Sequence, residues 1–300
     1  MNKKAFLLVI VAVTTGCGGS DNSSPVTTEV SPTPPPVAAA APASTPPAGL
    51  ESMLGIPSLY SGVTRATLDS AFYRNSTASK PGDQCGLSGS QQITVDGAPW
   101  TAQANLPAGK HTLTARFEKC LFPGPMEDIM LNGSVDMVYE GTAPENVAAV
   151  LTTKAFSLSG FGSDALPAYA FQVDGPAVYF VERTQNESRY RTDLRPGASL
   201  TNSKNTNRID FVGGRYTLTF ITPSNPMSQA EEFLEVVLEF NGVRYVLDGR
   251  MEWFNSETRN ATCTGEVRIT DGNGGLVARK YCPAGGRPEY ELLKPLPVFW

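Results

Sequence analysis

Beyond Pro81 the chain alternates apolar and polar residues with a period of two, and no segment sustains a helical period. Successive side chains of a strand point to opposite faces, so this alternation marks half-buried β-structure. Residues 110–120 set His111, Leu113, Ala115 and Phe117 against Thr112, Thr114, Arg116 and Glu118. Residues 214–223 do the same with Tyr216, Leu218 and Phe220 against Arg215, Thr217 and Thr219. In residues 235–248, Val236, Leu238 and Phe240 alternate with Glu235, Val237 and Glu239, then Asn241-Gly242 leads into Val243, Tyr245 and Leu247. Asn-Gly accepts the positive φ angles of a two-residue hairpin turn. Further hairpins are expected at residues 169–180 around Asp174-Gly175 and at residues 262–281 around Asp271-Gly272-Asn273-Gly274. The expected fold is all-β, about ten to fourteen strands in a large antiparallel sheet, built as a sandwich or a strongly curved half-barrel.

Leu131-Asn132-Gly133-Ser134-Val135-Asp136-Met137 is echoed by Leu247-Asp248-Gly249-Arg250-Met251-Glu252-Trp253, and Gly265-Glu266-Val267-Arg268-Ile269 by the second half of both. Glycine inside a strand marks a bulge, a bend or a close backbone approach, which suits strong curvature. Before Pro81, Gly55, Pro57 and Gly62 interrupt the apolar residues, and only a short helix is expected, near residues 61–72.

Five cysteines occur, Cys17, Cys85, Cys120, Cys263 and Cys282. In a hairpin with a loop at residues 271–274, Ile269 faces Leu276, Val267 faces Ala278 and Cys263 faces Cys282, so a cross-strand disulfide is expected there. Elimination then pairs Cys85 with Cys120. Simple pairing would set Ile93 opposite Thr112 and mix the faces, so this second link requires a bulge or another strand order.

Cys17 is left over, and its surroundings explain why. Lys3 and Lys4 precede an apolar run from Ala5 to Val13, which is far shorter than the roughly 20 residues of a membrane span. Val13-Thr14-Thr15-Gly16-Cys17 resembles the lipobox of bacterial lipoproteins, although the family usually carries leucine where Thr14 stands. The resemblance implies a signal peptide over residues 1–16, removed on export, and diacylglycerol and palmitate on Cys17. Gly18 and Gly19 follow in place of the aspartate that retains such proteins in the inner membrane, which implies a lipid anchor in the outer membrane of a bacterial cell envelope.

Residues 17–55 are expected to be a disordered tether rich in Pro, Ala, Ser and Thr, because too few large apolar side chains are present to offset the entropy of ordering. Proline extends such a chain at about 3.1 Å per residue, giving a reach on the order of 100 Å. Residues 56–300 are expected to form a single β-rich domain, with residues 56–160 and 161–300 as candidate sub-halves.

Removing Lys3 and Lys4 with the leader takes the net charge from −5 to −7. Nucleic-acid binding relies on a basic footprint, so no nucleic-acid partner is expected. With His111 the one histidine, no zinc cluster is available, and no cofactor or metal is expected. Gly86-Leu87-Ser88-Gly89-Ser90 fails the nucleophile-elbow pattern at its last position. Asp271-Gly272-Asn273-Gly274-Gly275 starts like a calcium loop, but its twelfth position is Cys282. No catalytic residue emerges.

Arg183, Arg189, Arg191 and Arg195 are the candidate anion-binding residues, in a locally basic stretch that also holds Lys204, Arg208 and Arg215. Arginine forms forked hydrogen bonds to phosphate and carboxylate. The competing reading is a charged edge strand that keeps the sheet from pairing with other chains. Glu231, Glu232, Glu235 and Glu239 are expected on a solvated face, and residues 294–300 as a tail packed on the domain or a partner. The sequence thus points to a membrane-anchored, non-enzymatic binding or structural module with an envelope polymer or protein as partner. Tyr179 beside Phe180, and Trp253 beside Phe254, motivate the alternative, a carrier of an apolar ligand or lipid inside a curved sheet.

Overall fold

The computed structural model describes residues 46–72, 85, 87–100, 107–122, 128–142, 146–161, 167–221, 228–254 and 262–299. The expected leader, Cys17 and residues 17–45 of the tether lie outside the described residues. One helix, α1 (Ala48–Phe72), precedes β1 (Ser88–Val95), β2 (Ala98–Pro99), β3 (Gly109–Phe122), β4 (Asp128–Thr142), β5 (Asn146–Phe161), β6 (Pro167–Arg183) and β7 (Glu187–Leu194). Then come β8 (Ser199–Asn202), β9 (Arg208–Ile221), β10 (Ser228–Phe240), β11 (Val243–Phe254), β12 (Thr262–Asp271), β13 (Leu276–Gly286) and β14 (Glu289–Leu292).

All fourteen strands join one antiparallel sheet in the order β14-β13-β12-β11-β10-β9-β7-β6-β5-β4-β3-β1-β2. β7 and β8 share one place between β6 and β9: β7 pairs with residues 177–183 of β6, and β8 with residues 171–174. Thirteen strands side by side at about 4.8 Å would span roughly 60 Å if flat, far wider than one helix of about 10 Å can cover. Yet inward residues from Ile93 in β1 to Ala278 in β13 belong to one buried cluster, and Leu50, Met53, Ile56 and Tyr60 of α1 join it. The sheet therefore curls around α1, which selects the curved form over the two-sheet sandwich.

Packing also explains why α1 is longer than the sequence suggests. Its helix runs through Pro57, which lacks an N–H donor, so local propensity alone does not account for it. Tyr60 lies 4.6 Å from Phe211, ring to ring, and Thr192 of β7 donates a buried 2.8 Å hydrogen bond to Ser61 Oγ. The folded body thus begins at or before Ala48, N-terminal to the expected boundary at residue 56. The tail enters the same core: Phe299 stacks on Phe171 at 5.8 Å, and its N–H donates to Ser52 Oγ at 2.8 Å. Asn202 and Asn205 both donate to the Phe299 carbonyl.

Three bulges of one design set the inward faces. Phe117 faces Gly133 and Cys120 faces Leu131, leaving Glu118 and Lys119 opposite Asn132 alone. Lys154 and Ala155 stand likewise opposite Asp174, and Leu234 and Glu235 opposite Asp248. The second bulge residue is left-handed each time, with φ of 44° at Lys119 and 47° at both Ala155 and Glu235. Its N–H donates to the facing Asn132, Asp174 or Asp248 side chain at 3.2, 3.3 and 3.2 Å. Its carbonyl comes up against a glycine of the strand on the other side, Gly89, Gly133 or Gly214 respectively. Each bulge shifts the alternation by one, so Phe117 and Cys120 both face inward, as do Phe233 and Val236.

This pattern corrects one hairpin. Asp174-Gly175 is no turn, because β6 runs straight through it and Asp174 caps the Ala155 bulge. The Asn241-Gly242 turn between β10 and β11 and the turn between β12 and β13 form as expected, with φ of 51° and 77° at Asn241 and Gly242.

Both disulfides are present, Cys85–Cys120 and Cys263–Cys282. The first uses the bulge that simple pairing lacked: Ile93 faces Ala115, and the register shifts between Ser88 and Ser90. In the second hairpin Cys282 faces Gly265 and Ile269 faces Ala278, two residues from the expected register. The cysteines stay on one face, 5.6 Å apart at Cα, so the link forms diagonally.

Candidate functional site

A polar trough of about 310 Å³ lies on the outer face at the middle of the sheet, more enclosed than the shallow concavity over β3–β5 lined by Arg116, Asp136 and Lys154. Its floor is β9, whose Thr217 and Thr219 point outward but are 5% and 7% exposed, because taller side chains stand on both sides. Phe180, Glu182, Arg189, Arg191 and Arg215 line one side and one end, and Glu232 and Arg250 the other side. Strand register explains the assembly: Phe180 faces Arg191, Arg191 faces Thr217, Thr217 faces Glu232 and Glu232 faces Arg250. One cross-sheet row thus delivers five lining residues from five strands.

The arginines are held in place. The Arg191 guanidinium lies 3.5 Å from the Phe180 ring centroid, an arrangement in which the ring face attracts the cation. Arg215 Nε donates to Asp193 Oδ1 at 2.8 Å, and Arg191 Nε lies 3.4 Å from the same oxygen. Arg189 is 2.9 Å from Glu187 and 3.7 Å from Glu182, and Arg250 is 2.6 Å from Glu252. Arg189, Arg250 and their acids form ordinary exposed pairs, whereas Arg191 and Arg215 share one carboxylate.

Of the four candidate arginines, the structure brings Arg189 and Arg191 together and separates the others. Arg183 turns to the opposite face, where it donates to the Tyr190 hydroxyl at 3.1 Å, and Arg195 is exposed in the break between β7 and β8. Arg208, further along, pairs with Asp210. β7 lies between β6 and β9, so an edge-guarding role does not apply to Arg189 or Arg191. Arg250 escaped the sequence reading because it comes from β11, about sixty residues away; only the cross-sheet register places it here.

The glutamates are also sorted by the β10 bulge. Glu231 faces inward, contrary to the solvated-face expectation, because the extra residue at Leu234-Glu235 reverses the alternation. Its carboxylate accepts a 3.1 Å hydrogen bond from Tyr216, and burial raises its pKa. Burial lowers the pKa of Lys280 nearby, whose Nζ lies 5.0 Å from the Trp253 ring centroid. Glu232 enters the trough, and Glu239 pairs with Arg244 at 3.2 Å.

Among the described residues no group of three or more His, Cys, Asp or Glu side chains is placed to hold a metal ion. Among them, too, no helix is long and apolar enough to cross a membrane. His111 pairs with Asp96, Nδ1 to Oδ2, at 2.6 Å at the start of β3. No protein-family model matches the chain, and neither a curated protein nor a solved structure matches it.

Proposed function

We propose that the chain is a lipid-anchored protein of the bacterial cell envelope, held at the outer membrane through Cys17, that acts as a non-enzymatic binding module with its outer face as the contact surface. One observation carries this reading: the inside of the curved sheet is packed with α1 and the tail, while the outer face is hollowed into a polar trough. The carrier reading needs open space inside, and that space holds Tyr60, Phe211 and Phe299, each at most 1% exposed. Two disulfides suit an oxidising compartment outside the cytoplasm. The partner on this reading is an envelope polymer or protein.

Anchor and surface are tested separately. Palmitate labelling in the native host is expected to disappear in Cys17→Ser; persistent labelling removes the anchor. Replacing Arg189 and Arg191 together by Ala is expected to abolish binding of the full chain to lipopolysaccharide or peptidoglycan. Unchanged binding to both removes the trough as the contact surface.

A further inference from the structure

Resting on that reading of the trough, we infer that its centre is a subsite for a sugar bearing a carboxylate or phosphate group. Arg191 and Arg215 share the single negative charge of Asp193, and both approach it through Nε. One carboxylate thus faces two guanidinium groups, and among the described residues the Nη donors of both make no hydrogen bond. Those donors form the fork that matches two oxygens of a carboxylate or phosphate. Phe180 holds Arg191 and Asp193 holds Arg215, so little side-chain freedom remains to be lost on binding.

The rest of the trough supplies hydroxyl chemistry. Thr217 faces Arg191 directly across the ladder, and its hydroxyl makes no hydrogen bond among the described residues. Glu232 stands on the far side of Thr217, free of any ion pair among the described residues, and can accept from sugar hydroxyls. Two strand spacings, about 10 Å, separate the β7 and β10 backbones, leaving a sugar ring room between the anion fork and the carboxylate. Its volume is near the lower end of the roughly 300–1,000 Å³ typical of small-ligand clefts. An inorganic anion would engage only the arginines and leave the threonine and glutamate unused.

The test titrates the full chain in detergent with glucuronate, glucose 6-phosphate, glucose and inorganic phosphate, following the arginine Nε–H resonances and the affinity. Both acidic sugars are expected to bind about tenfold or more tightly than glucose or phosphate, as one charged hydrogen bond more or less would dictate. Arg215→Gln is expected to weaken acidic sugars about tenfold, and Arg215→Lys by less. Thr217→Val should weaken the acidic sugars but not phosphate, and Arg208→Gln should change nothing. Equal binding of glucose and glucuronate overturns the inference, as does an Arg215→Gln variant that keeps full affinity. An unmodified chain that binds polymer but no acidic sugar overturns the subsite alone; an unmodified chain that binds neither overturns the contact surface with it.

Discussion

At Gly133 the backbone has φ of 105°, and an added Cβ would lie 2.2 Å from the Ala155 carbonyl oxygen. Backbone atoms on the neighbouring strand cannot swing aside as a side-chain end can. Gly133→Ala is therefore expected to cost about 1–3 kcal/mol in backbone strain, with the collision added, measured as a drop in urea midpoint. A change below 0.5 kcal/mol would mean that the bulge geometry is wrong. His111 allows a second test at this scale. Its hydrogen bond to Asp96 raises its pKa above 6.5, and the same bond lowers Asp96 to about 2. The pair's contribution is complete between pH 3.8 and 6.5. It fades above that window as His111 loses its proton through its raised pKa, and below it as Asp96 is protonated towards pH 2. The chain has one histidine, so its ring resonances report without ambiguity. Asp96→Asn is expected to return their midpoint towards 6.5; a wild-type midpoint at or below 6.5 contradicts the pairing.

The elements show what alternation alone discloses. Strands such as β3, β9 and β10 were legible because one face is wet and the other dry, and Asn241-Gly242 was legible because its turn needs positive φ at both residues. Asp174-Gly175 carries a similar signature but caps a bulge, because its aspartate accepts the Ala155 N–H from the next strand. No local reading separates the two, since the partner lies nineteen residues away. The echo of Leu131-Asn132-Gly133 in Leu247-Asp248-Gly249 was the available clue, for both are Asx-Gly pairs facing a bulge. α1 was underestimated for a related reason: Gly55, Pro57 and Gly62 weaken it locally, and the sheet supplies what propensity lacks. The tail is the opposite case, read correctly as packing. Phe299→Ala is expected to destabilise the fold by about 3–5 kcal/mol through the cavity left against Phe171, read from thermal or urea unfolding. A cost under 1 kcal/mol would show that the tail does not belong to the core.

For the whole molecule, a sheet of thirteen adjacent strands must either stack on another layer or curl, and this one curls around its own helix and C-terminus. The sequence marks the tail as a packing segment, but not that it shares the inside of the sheet with α1, because what the two fill exists only once the sheet has wrapped. The trough has the same origin, since its arginines sit on β7, β9 and β11 and meet only through the ladder. Packing inside and recognition outside is thus the central claim, and native mass spectrometry of the full chain purified from its host tests it most directly. The expected result is a mass equal to the processed chain with its covalent lipid on Cys17, and no further apolar molecule released on unfolding. A stoichiometric lipid released by unfolding, and absent from the Phe299→Ala and Tyr60→Ala variants, would contradict it by placing a ligand where the helix and tail are packed.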